Sequence, residues 1–190
     1  NYSTKKMKNG NPAVVGLAGF GMTTFLLQLH NLGLLQWGPV LAMGLIFGGL
    51  AQFIAGFQEQ KMGNNFGYSA FVAYGSFWIG LAIIKLCTHF GIYPSDGTDV
   101  GYYLVGWTLY TAIMFIASFR IHTAMVFTFG TLLVGFILLD LEHFGFEFLK
   151  PVAAIELIVC AFAAWYMMAA IIINDLAGKT VLPLGNKLIK

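Results

Sequence analysis

The chain alternates long apolar stretches with short polar breaks, and six stretches stand out, at approximately 12–33, 38–57, 67–88, 101–118, 123–141 and 151–174. A helix needs about 20 mostly apolar residues to cross the roughly 30 Å hydrocarbon layer of a bilayer. The pattern therefore predicts an all-α membrane protein, a single domain over 1–190 with six transmembrane helices. The breaks carry end and turn signals: Asn31 and Gly33 after the first span, Lys61 to Asn65 after the second, and Tyr93-Pro94-Ser95-Asp96-Gly97 after the third. Proline is tolerated at the first position of a helix, where its missing N–H has no intrahelical acceptor. Pro151 thus opens the last span, and Asn11 before Pro12 is placed to cap the first. Basic residues precede the first span, but its apolar stretch exceeds the 7–15 residues of a signal-peptide core, so it is expected to be retained.

Six alternating spans put Lys5, Lys6, Lys8, Lys61, Arg120, Lys179, Lys187 and Lys190 on one side, and only Lys85 and Lys150 near the other. Cytoplasmic loops carry the excess of lysine and arginine. Both termini are accordingly expected in the cytoplasm, in a multi-pass protein of the cell (plasma or inner) membrane.

Composition narrows the function. Of 190 residues, 58% are hydrophobic and 9% charged, too few charges for a water-soluble surface, so lipid is the expected surroundings. The net charge of +2 comes without a basic run interleaved with aromatics, which argues against a nucleic-acid partner. Cys87 and Cys160 sit inside apolar segments without metal or redox spacing. There is no GxSxG, HExxH or phosphate-binding glycine loop, and His30, His89, His122 and His143 fall at span ends on alternating sides. No enzyme, cofactor or metal site is expected.

Polar residues inside the spans carry the remaining information, because a polar side chain in hydrocarbon costs free energy and turns toward protein or a wet path. On the first span Phe20, Thr24, Gln28 and Asn31 share a face, with Thr23 and His30 beside it. Hydroxyls and amides can replace the hydration of a carboxylate without trapping it as a fixed cation would. Gly44, Gly48, Gln52 and Gly56 recur at spacing four on the second span, a small-residue stripe for close helix contact that Glu59 continues. Tyr74 lies too deep for an interfacial belt, which leaves a pore-facing role or a helix-to-helix hydrogen bond. Glu156, a turn inside the last span, is left unassigned.

Several segments together resemble one family. NPAVVGLAGFGMTTFLLQLHN, from Asn11 to Asn31, resembles the NPAPLGL signature of the acetate and succinate transporters, with Val14 and Val15 where the signature has proline and leucine. GGLAQFIAGFQEQKMGNNFGYSAFVAYGSFW, from Gly48 to Trp78, and GKTVLP near the C-terminus extend the resemblance over nearly the whole chain. It implies an oligomeric bundle, a homohexamer, with a path in each protomer narrowed by Phe20, Tyr74 and Leu132. It also places Asn11 in the signature and Ala164 at a small-residue position that sets pore width.

Taken with the polar stripes, this gives a transmembrane channel or transporter for small monocarboxylates, chiefly acetate and also succinate. Its path is expected to run along Asn11, Thr23, Thr24, Gln52 and Ala164 through the hydrophobic constriction. Passive flow and proton coupling both remain open. The rival reading is a neutral-solute channel for urea, amides or ammonia; a sensor or assembly factor without flux is a third.

Overall fold

The computed structural model describes residues 9–189, and helices cover all six expected spans. They are α1 (Ala13–Asn31), α2 (Trp37–Leu45) joined through a π-helical segment (Ile46–Ala51) to α3 (Gln52–Lys61), α4 (Asn65–His89), α5 (Gly97–Ser118), α6 (Thr123–His143) and α7 (Lys150–Ala177). Among the described residues there is no strand. With six crossings the polypeptide enters and leaves at the same end of the bundle, here termed the terminal end, and the opposite one the far end. Lys5, Lys6, Lys8 and Lys190, used above to orient the chain, lie outside the described residues.

The helices outrun several predicted limits because polar side chains at their ends satisfy backbone groups that hydrocarbon cannot. The second span continues to Lys61 rather than residue 57, and α4 starts at Asn65 rather than 67. Asn64 caps α4, its Oδ1 accepting the Gly67 N–H at 3.1 Å. Asp96 and Asp99 form a reciprocal capping box that starts α5 at Gly97, four residues earlier than hydropathy alone suggests. Asn11 Oδ1 accepts the Ala13 N–H at 2.9 Å at the start of α1. Pro151 stands in the first turn of α7, and Gly178 ends that helix in the left-handed region at φ 63°.

The small-residue stripe of the second span does not keep to one face. The π segment adds a residue per turn, which rotates everything after it relative to α2. Gly44 and Gly56 consequently pack on α4, against Trp78 and Ala82 and against Val72 and Tyr68, whereas Gly48 packs on Thr23 of α1. Gly19 of α1 lies on the backbone carbonyl of Phe47, inside the same segment. The rotation also carries Gln52 away from both packing seams and into the interior.

Around this seam α1 packs on α7, α4 on α3, and α6 on both α5 and α7. The outward faces are apolar, for example Leu109, Ile113 and Ile116 on α5, as a lipid-facing surface requires. After Gly178 the chain doubles back across the terminal end. Asn174 Oδ1 accepts the N–H groups of Val181 and Leu182, Tyr166 donates to the Pro183 carbonyl at 2.7 Å, and Ala124 N–H donates to Leu184. The strap thereby seats Leu184 beside the interior.

Candidate functional site

Two cavities enter the bundle from opposite ends. The first, of about 240 Å³, opens at the terminal end between α1, α3, α4, α6 and α7. Its walls include Leu17, Phe71 and Phe129, its mouth Glu59, His122 and Leu184, and its deep end Phe20, Tyr74 and Leu132. The second, of about 250 Å³, enters from the far end and is lined by Leu27, Phe77, Leu81, Leu104 and Leu139, with His30, Lys85, Glu142, His143 and Lys150 toward the outside.

The two are in register. On three helices a residue at the deep end of the first cavity is followed, seven positions later, by one lining the second: Phe20 and Leu27, Tyr74 and Leu81, Leu132 and Leu139. Two helical turns correspond to about 10 Å. An apolar septum separates the cavities, two turns deep at these three pairs and about one turn deep where Phe77 of α4, three positions from Tyr74, also lines the second cavity. Phe20 meets Tyr74 edge-on at 5.8 Å between centroids, and Phe77 meets Phe136 at 5.6 Å.

Tyr74 combines a cavity-lining ring with a helix-to-helix hydrogen bond. Its ring lines the first cavity, while its hydroxyl, with the residue only 2% exposed, is 2.8 Å from Thr111 Oγ1 on α5. Thr111 is not legible as Tyr74's partner from the chain alone, because nothing local links positions so far apart. The bond fixes the ring's tilt, so the face offered to the cavity is set by α5.

Gln52 stands out for the opposite reason. It is 1% exposed, it lines the first cavity, and neither its Oε1 nor its Nε2 has a hydrogen-bond partner within the protein. Buried amides are nearly always paired, so an unpaired one facing a cavity is an available donor and acceptor.

The mouth holds two titratable groups of different character. Glu59 is buried and accepts from Asn64 Nδ2 at 2.7 Å. It thus ties the end of α3 to the residue that caps α4. His122 caps α6, its Nδ1 accepting the Met125 N–H at 3.1 Å, so the neutral ring carries its proton on Nε2. Burial holds this imidazole below its ordinary value of 6.5. In the sequence His122 is only a span-end histidine; its cavity position depends on the turn between α5 and α6.

Of the residues expected along the path, Phe20, Gln52, Tyr74 and Leu132 line the first cavity. Asn11, Thr23, Thr24 and Ala164 are not among its lining residues. Asn11 is exposed and occupied in capping α1. Thr23 is sealed between α1 and the π segment, donating to the Gly19 carbonyl at 2.8 Å and reaching the Met43 carbonyl at 3.4 Å. Thr24 lies in chain order between Phe20 of the first cavity and Leu27 of the second, at the level of the septum. Ala164 is fully buried on α7, one turn from Met167, which does line the cavity. Glu156 sits half-buried on α7 beside Gly135 of α6, and its Oε2 has no partner within the protein.

Comparison with known proteins agrees with this architecture. The family model described as the GPR1/FUN34/yaaH family matches residues 2–184. The chain is 40% identical to the succinate-acetate/proton symporter SatP of Escherichia coli K12, over 94% of this chain and 96% of that protein. It is 35% identical to the ammonia transport outward protein 2 of Saccharomyces cerevisiae, over 84% of this chain and 60% of that one. A solved structure of the bacterial acetate channel SatP superposes with a TM-score of 0.90 at 40% identity, covering 94% of this chain and all of that one. The chain is therefore an integral, multi-pass membrane protein belonging to the GPR1/FUN34/yaaH family, not an enzyme.

Proposed function

We propose that this protein conducts acetate and comparably small monocarboxylates through each protomer, along the line of the two cavities, with Phe20, Tyr74 and Leu132 as the constriction. The observation that carries the reading is Gln52: a deeply buried amide without a protein partner, facing a cavity that ends on three apolar side chains. A carboxylate entering such a space loses hydration and needs donors in exchange. Gln52 Nε2 supplies one, and the proton on His122 Nε2 is available as another. Conduction requires sites that are favourable but weak, and neutral donors meet that requirement better than a buried cation.

In this reading the septum sets size selection. It opens by small displacements of the three constriction side chains, since Phe20 and Leu132 are held by packing alone, while Tyr74 is pinned to Thr111. Acetate fits a narrow opening and bulkier acids do not; succinate, twice the charge and longer, is the demanding case. The names of the E. coli relative and of the solved structure support acetate as the substrate. The family resemblance supports a homohexamer with one path per protomer. Either proton symport or passive flow is compatible with neutral donors lining the path.

The test is uptake of labelled acetate into proteoliposomes, with and without Leu132→Ala. Wild-type protein is expected to pass acetate and reject lactate, and the variant to pass both. Acetate flux absent from the wild type refutes the function. Unchanged selectivity in Leu132→Ala refutes the constriction. The name of the yeast relative favours ammonia as a second reading. Ammonia or urea flux that acetate does not inhibit would establish that one instead.

A further inference from the structure

The lysines of this chain are distributed unevenly, and the exceptions converge. Every lysine near a span end belongs to the terminal side except Lys85 and Lys150. These two come from different helices, α4 and α7, separated by 65 positions in the chain, yet both line the far cavity. A lysine on the non-cytoplasmic side works against the charge bias that orients membrane proteins. Two of them meeting in one cavity call for a reason other than topology.

Their surroundings are built. Lys85 is half-buried, with Nζ 5.0 Å from the centroid of the Trp37 ring. Trp37 in turn packs against His30, the two rings tilted by 47° with centroids 4.3 Å apart, and His30 is fixed by its Nδ1 to the Leu35 carbonyl at 2.8 Å. A cation over an aromatic face is held in place without losing its charge to a carboxylate. Lys150 and Glu142 are both close enough to act electrostatically on Lys85. Glu142 in turn is 2.6 Å from His143 Nδ1, and that nitrogen also donates to the Leu139 carbonyl at 2.9 Å. With the histidines neutral, two cations against one carboxylate leave the cavity a net charge of +1, whereas Glu59 gives the cavity at the terminal end a net charge of −1.

We propose that the far cavity is an anion-docking vestibule in which Lys85 and Lys150 gather a carboxylate before it reaches the septum, with Glu142 tempering the hold so that the anion is released inward. The site takes the same class of ligand as the path, a small carboxylate, and so rests on the proposed conduction of acetate. The cations sit at the rim and the walls below them are Leu27, Leu81 and Leu139, so the anion is concentrated at the entrance and not trapped inside. Charged rims raise the local concentration of an oppositely charged solute and are screened by salt.

The effect is confined to one face and follows the sign of each charge. At a separation of about 6 Å in a largely aqueous mouth, one unit charge changes local anion concentration roughly threefold, and more where the walls exclude water. Acetate half-saturation is measured in right-side-out and in inverted membrane vesicles at low ionic strength. Lys85→Gln with Lys150→Gln is expected to raise half-saturation roughly tenfold from the far side and to leave the terminal side unchanged. Glu142→Gln is expected to lower it roughly threefold from the far side, and Lys85→Arg to retain wild-type behaviour.

Equal half-saturation from the far side in the double-glutamine variant, with flux from the terminal side intact, overturns the vestibule and leaves acetate conduction standing. Absence of acetate flux in the wild type removes the function itself, a different result. Should the double variant fail to insert, the wild type still decides. Raising ionic strength from about 0.01 M to about 1 M shortens the screening length from about 30 Å to about 3 Å. It must weaken uptake from the far side if the vestibule acts as described, and an unaltered half-saturation there overturns it.

Discussion

Replacing Gln52 by leucine separates a ligand-binding amide from a structural one. Neither polar atom of Gln52 bonds another protein group, so Gln52→Leu deletes no hydrogen bond of the fold, and the two side chains are close in size. Stability is therefore expected to stay within about 1 kcal/mol of the wild type. A hydrogen bond to a charged group, by contrast, is worth about 1.5–3 kcal/mol. At about 1.4 kcal/mol per factor of ten, its loss weakens acetate binding at the first cavity roughly 10- to 150-fold. The assay pairs a thermal melt in detergent with concentration-dependent acetate flux in liposomes. A ligand-binding role for this amide requires an unchanged melt alongside a large rise in half-saturating acetate. Wild-type flux in the variant refutes it, and so does a melting temperature that falls by many degrees, which would mark Gln52 as a packing residue. Gln52→Glu adds a second arm: the shape is retained, and a carboxylate facing acetate should depress flux further.

Three further outcomes follow from particular contacts. Tyr74→Phe strands the fully buried Thr111 hydroxyl and should cost about 1 kcal/mol, which Thr111→Val added to it should largely return; denaturation of the single and double variants measures the coupling. His122 is held below 6.5, so the folded state binds its proton less readily than the unfolded chain. The stability this contributes is present above about pH 6.5 and is lost as pH falls through the lower folded value; His122→Asn, which keeps a capping oxygen, should flatten that acid limb in a melt-versus-pH series. Gly19→Ala would drive a methyl group onto the Phe47 carbonyl, a backbone atom that cannot rotate away, and should destabilise by about 2 kcal/mol or more, read as lost monodisperse protein on solubilisation.

The sequence by itself determined the number of spans and their order, because crossing hydrocarbon imposes a length that any continuous apolar run either meets or fails. It also determined which side chains share a helical face, a strictly local consequence of 3.6 residues per turn. That is why Phe20, Gln52, Tyr74 and Leu132 could be singled out, partly on depth and face and partly by family resemblance, before their shared cavity was visible. The Gly44 to Gly56 stripe shows where the local rule ends: a regular helix was assumed, and one π segment turned Gly48 and Gln52 to different neighbours. Only the tertiary structure decided that Thr23 is sealed in a seam, that Thr111 holds Tyr74, and that His122, Leu184 and the pair Lys85 and Lys150 line cavities. Those facts depend on which faces of distant helices meet and on how the chain turns between them, and that is fixed by packing over the whole bundle, which no window of neighbouring residues records.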